Sequence, residues 1–218
     1  NPDLKYIAAE VNNVTRELTY EVYYDADIRF LTLSDSTASK IYEATLRYVV
    51  AMAFARTYPD LKIRFAYNVS RCVSIHLLNP GATSTTAMLL KVRHEIDSII
   101  EQNLPLKRII VSNEEASKVY QERGFLDKLD ILQYRPEKTV HLYSCGDYLN
   151  YMYSRMLPPP AYLKNFKLRL CAPGFLLQYP RAECKGEIPP FKDAPTFNRV
   201  LKESHDWAKT VGASTVAM

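Results

Sequence analysis

Two different spacings of apolar residues divide the chain. Over residues 6–33 apolar and polar positions alternate, as YIAAEVN, the dipeptide Asn12-Asn13, VTRELTY and, after Asp25-Ala26-Asp27, IRFLTLS. Alternation with a period of two marks half-buried strands. Asn-Asn accepts the positive φ angles of a tight hairpin turn. A small β-rich unit is predicted here, too short to be stable alone.

From residue 34 the spacing changes. SDST at 34–37 offers capping side chains before ASKIYEATLRYVVAMAFARTYP, where Ile41, Ala44, Leu46, Val49, Val50, Ala53 and Phe54 form a wide apolar face and Pro59 stops the helix. KIRFAYNV and SRCVSIHLL read as paired strands, and Asn79-Pro80-Gly81 as a turn. A second long helix is predicted over TSTTAMLLKVRHEIDSIIEQN. LKRIIVS follows as a strand, and Ser112 with Glu115 forms a capping box that opens EEASKVYQERG, with Gly124 at its C′ position. LDKLDILQY reads as a further short helix. TVHLYSC, KNFKLRL and GFLLQYP read as strands of one sheet, residues 180–195 as a Pro-rich linker or an extended wrap, and TFNRVLKESHDWAKTVG as a closing helix. The order predicts an α+β architecture in three parts: a β unit at 1–34, an α+β domain at 35–180, and a linker with a helix at 181–218.

Composition narrows the class only slightly. Lys plus Arg exceed Asp plus Glu by 28 to 24, a mildly basic balance that names no partner. Cys72, Cys145, Cys171 and Cys184 form no CxxC pair, and His76, His94, His141 and His205 form no HxxxH or HExxH. Free thiols, the absence of a long apolar run and an amino terminus unlike a signal peptide point to a cytoplasmic protein without a membrane partner. A chain that opens on Asn1 and closes at Met218 is expected to be a piece of something longer.

The six glycines fall in neither GxxxxGK[ST] nor GxGxxG, so no phosphate-cradling loop is present in this stretch. Cys72 and His76 share a strand face but stand about 13 Å apart by strand rise, too far for a thiolate-imidazole couple. Arg93-His94-Glu95 and Asp127, Lys128 and Asp130 read as solvated helix faces. Lys164, Lys167 and Arg169 alternate with Phe166, Leu168 and Leu170, giving one cationic strand face.

EEASKVYQERGFLDKLDIL after LPLKRIIVS, together with the VNN hairpin, the long helix ending at Tyr58-Pro59 and the later FKL, resembles the TGS and second additional domains of threonyl-tRNA synthetases over roughly residues 5–180. In that family the second domain hydrolyses misacylated tRNA in a cleft built from HxxxH and CxxxH. The resemblance puts Ala44 and Tyr48 at the two helical positions, and Met152 and Met156 at the later pair. Methyl, phenol and thioether groups supply neither the usual zinc ligands nor an imidazole for proton transfer. The implication is a cleft with no metal and no catalytic residue.

LYSCGDYLNYMYSRMLPPPAYLKNFKL also resembles the corresponding part of bacterial uridine kinase-like nucleoside kinases, and HDWAKTVGASTVAM resembles the helix and linker leading into their kinase domain. This second resemblance implies a non-catalytic regulatory or binding region. ATP and Mg²⁺ would then belong to a carboxy-terminal kinase domain beyond this chain, and none to the chain itself. The alternative is a tRNA-binding or diverged editing module, and a structural or dimerisation domain is a third reading. Arg47, Tyr48, Arg71, Tyr151, Tyr153 and Arg155 are the candidates for a pocket that holds a nucleoside or RNA, since they offer stacking faces and cationic forks. A homo-oligomer is compatible with each reading.

Overall fold

A computed structural model describes residues 5–122 and 124–212. Three antiparallel sheets surround one long helix. The first has the order β2-β1-β3, from Ala8–Val11 (β1), Val14–Arg16 (β2) and Ile28–Leu31 (β3). Asn12 and Asn13 make the predicted turn, at φ 50° and 63°.

Helix α1, Ser36–Thr57, is apolar nearly all round. It buries Ile41, Tyr42, Leu46, Tyr48, Val50, Met52 and Phe54 among others, and so lies in the interior rather than on a surface. Its core is continuous with Ile7, Ala8 and Leu31 of the first sheet and with Tyr143 further along the chain. The expected SDST cap differs in detail. Asp35 occupies the N-cap, but its carboxylate accepts from the Thr32 N–H at 2.9 Å and from Arg29 at 3.0 Å instead of from the helix amides. These bonds, the Thr32 amide foremost, hold the Asp35 carboxyl below the usual range. Tyr58, preceding Pro59, leaves the helical region and ends α1.

The second sheet has the order β4-β5-β10-β9, from Ile63–Val69 (β4), Cys72–Leu77 (β5), Lys167–Cys171 (β9) and Gly174–Gln178 (β10). At Gly174 a Cβ would lie 2.0 Å from the Ile75 carbonyl oxygen, so no other residue admits this approach of β10 to β5. Helix α2, Thr86–Gln102, is capped by Thr85, whose hydroxyl accepts from the Met88 N–H at 3.2 Å.

The third sheet has the order β6-β7-β8, from Lys107–Ser112 (β6), Thr139–Cys145 (β7) and Tyr148–Tyr151 (β8). Helices α3, Asn113–Glu122, and α4, Leu126–Leu132, cover one of its faces. The Ser112-Glu115 capping box forms as expected, with Glu115 accepting from the Ser112 N–H at 2.8 Å and Ser112 accepting from the Glu115 N–H at 3.2 Å. One expectation fails: TVHLYSC does not share a sheet with KNFKLRL and GFLLQYP. Gly146, at φ 58°, turns β7 straight into β8, and this local hairpin satisfies the β7 edge before the later strands arrive. Helix α5, Pro195–Thr210, closes the described chain, with Phe197, Val200 and Trp207 exposed. Residues 213–218, part of the segment likened to a kinase linker, lie outside the described residues. No described helix is long and apolar enough to cross a membrane.

Candidate functional site

The place where the sequence resemblance puts a hydrolytic cleft lies between α1 and the inner face of the third sheet. Ala44 and Tyr48 stand one turn apart on α1, both buried. The Tyr48 hydroxyl points at the β7-β8 hairpin, 2.8 Å from the Tyr143 carbonyl oxygen and 3.1 Å from that of Tyr148. Its ring meets Tyr148 edge to face at 5.2 Å. The phenol is thus committed to the strand backbone and to the Tyr148 ring.

The other two positions are closed by packing. Met152 is half-buried against the main core, and Met156 is buried within it. The next residue is pinned to α1, because the Leu157 N–H donates to Thr45 Oγ1 at 2.9 Å while the Thr45 hydroxyl donates to the Ile41 carbonyl at 2.8 Å. These side chains do not fit a metal ion. No group of three or more His, Cys, Asp or Glu side chains among the described residues is placed to hold one.

A carboxylate enters this region from the first sheet. Glu17, just after β2, accepts with one oxygen from the Tyr143 hydroxyl at 2.5 Å and from the Met156 N–H at 3.1 Å. Burial, helped by the Glu17 bond, pushes the Tyr143 hydroxyl far above its ordinary pKa. Register places Arg108 opposite Tyr143 and Ile110 opposite His141, so these four share a sheet face. Arg108 lies 3.0 Å from His141 Nδ1. Burial lowers the His141 pKa, and Arg108, Arg135 and Arg155 lower it further.

The six candidate pocket residues do not line one pocket. Tyr48 and Arg155 belong to the region just described, Arg155 acting on both His141 and Tyr143. Tyr151 pairs with Leu142 and faces the other way, into the cluster under α3 and α4, with Arg135 stacked on it at 5.5 Å. Tyr153 is 86% exposed. Arg47 pairs with Glu43 at 3.3 Å and stacks on Phe65. Arg71 sits at the β4-β5 turn with φ 62°, 3.6 Å from Cys184 Sγ. Alternation along β8 sends neighbouring side chains to opposite faces, which separates residues that are close in sequence. Sequence reasoning missed Glu17, Arg108, His141 and Tyr143, and the β6-β7 register is the signal that unites the last three.

The face predicted to be cationic on β9 is partly committed to packing: Arg169 bonds Gln178 at 3.2 Å and stacks on Phe191. Arg93 pairs with Asp97 and stacks on Phe166, and Glu95 pairs with Arg56, so Arg93 and Glu95 serve the structure. A cavity of about 380 Å³ opens elsewhere, at the C-terminal end of α1 beside Tyr58, Asn79 and Lys91. Thr57 on its rim lies roughly 13 Å along the helix from Tyr48.

A small antiparallel β unit joined to a larger α+β unit around a buried helix is the class this geometry defines. The chain is similar over 165 residues to a threonine-tRNA ligase of Clostridium tetani, at 26% identity, covering 75% of this chain and 26% of the ligase. Threonine-tRNA ligases of Thermotoga petrophila and Desulforamulus reducens are each 27% identical, over 166 and 163 residues, again covering 26% of their own length. The chain therefore spans about a quarter of the length of these relatives. No family model matches it. The relatives support the synthetase side of the sequence reading and lend nothing to its nucleoside-kinase side.

Proposed function

We propose that this chain is a binding module of the kind found in the amino-terminal part of threonyl-tRNA synthetases, diverged so that it binds RNA or a nucleotide-like ligand without hydrolysing an ester. The observation that carries this reading is Tyr48: its phenol is bonded to two strand carbonyls where a reactive group would have to stand. The basic side chains Arg108 and Arg155, both acting on His141 and Tyr143, support a polyanionic partner. Two measurements test it. The purified chain should leave seryl-tRNA intact, and filter binding of tRNA should weaken steeply as salt rises. Deacylation, or affinity indifferent to salt, overturns the proposal.

A second reading makes the same module the regulatory region of a nucleoside kinase that uses ATP and Mg²⁺ in a separate domain. It is favoured by the resemblance of residues 142–168 and by Phe197, Val200 and Trp207 on α5, whose exposure leaves a face on which another domain can pack. A P-loop encoded shortly after Met218 in the parent gene would decide for it, and a synthetase core would decide against it.

A further inference from the structure

Glu17 stands in the closed cleft as a guest from another part of the chain. Its Oε1 accepts hydrogen bonds from both the Tyr143 hydroxyl and the Met156 N–H, and each of these donor residues is 1% exposed. Two buried donors converging on one oxygen would be costly to leave without an acceptor. Arg155 and Arg108 act electrostatically on the same hydroxyl and favour negative charge there. The segment that delivers Glu17 is held loosely by comparison. Residues 18–27 form no helix or strand, their Tyr20, Tyr23 and Tyr24 are exposed, and the far end is tied through Asn12 to Asp27. The hydrogen-bonding chemistry of the site is fixed by the core, whereas its occupant hangs on a surface segment.

We propose that Tyr143 Oη and the Met156 amide form a binding site for the carboxylate of a small molecule, which Glu17 fills in cis and which such a ligand takes over by displacing residues 17–27. Two neutral donors converging on one oxygen, in a basic field, match a singly charged, planar carboxylate. A phosphate presents more oxygens and more charge than these donors satisfy. The proposal holds whichever enzyme the module serves, because it concerns the occupant of the cleft and not the fate of an ester.

The test follows the Met156 amide resonance of the ¹⁵N-labelled chain during titration with sodium acetate, with sodium chloride as the ionic control and inorganic phosphate as a competing probe. An internal competitor lowers apparent affinity by the fraction of time it vacates the site. Glu17→Ala should therefore saturate with acetate at a concentration about tenfold or more below that of the wild type, and adding Tyr143→Phe should abolish the response. If Glu17→Ala does not fold, Glu17→Gln keeps the packing while removing the charge, and should still respond to acetate more tightly than the wild type. Equal responses to acetate and chloride, equal affinities in mutant and wild type, or tighter saturation by phosphate would each overturn the proposal.

Discussion

The two faces of the β6-β7-β8 sheet come from the same three strands yet follow opposite rules. Under α3 and α4, Val140 and Leu142 are buried with Ala116, Tyr120 and Leu132, and the face is apolar. On the other face Arg108 bonds His141 and the Tyr143 hydroxyl bonds Glu17, while the phenol of Tyr48 bonds the Tyr143 carbonyl. One face gains stability from area removed from water, roughly 25 cal/mol per Å². The other must match donors to acceptors, and a single lost partner there leaves a buried polar group unsatisfied. Since adjacent residues alternate between faces, Leu142 and Tyr143 answer to different physics.

Mutations can test that contrast. The largest effect is expected for Leu142→Ala, which should lower stability by about 2–5 kcal/mol in urea unfolding through a cavity in the apolar face. Tyr48→Phe keeps the ring but removes the hydroxyl's bond to carbonyls that also pair within the β7-β8 hairpin, and should cost about 0.5–1.5 kcal/mol by the same measurement. A Tyr48→Phe loss equal to that of Leu142→Ala would erase the distinction between the faces. Ser112→Ala removes half of the capping box that opens α3 over the apolar face, and about 0.5–2 kcal/mol is expected from thermal melts.

The smallest effect concerns pH. The folded His141 pKa lies below its ordinary value, so the unfolded chain takes up the proton more readily. Stability linked to this group is present above about pH 6.5 and is lost as pH falls through that value. The melting temperature should therefore fall less between pH 8 and pH 5.5 in His141→Gln than in the wild type. An NMR titration placing His141 above the ordinary histidine value would contradict the basic surroundings described for it.

Much of the fold was legible because its signals are local. The Asn12-Asn13 turn, α1 with its stop at Pro59, the Ser112-Glu115 box and the β4-β5 hairpin each rest on residues a few positions apart. The partner of β7 was not legible, since an apolar strand does not state which edge it will meet. The site was half legible for the same reason. The family resemblance pointed to Ala44 and Tyr48 on α1, but Glu17 reaches Tyr143 across 126 positions that no local pattern connects. Tyr151, Tyr153 and Arg155 share a stretch of sequence, and the pleat and the exit from β8 then send them to different surroundings.

The contact at Gly174 bears on synthesis as well as on structure. β5 and β10 pair with Phe175 opposite Ile75, a hundred residues apart. As the chain leaves the ribosome, the β4-β5 hairpin is complete long before β10 exists, and β5 carries a bare strand edge during that interval. The second sheet closes only when Gly174 arrives and slides against the Ile75 carbonyl, which makes the last quarter of the described chain the part that ends the exposure of the first half.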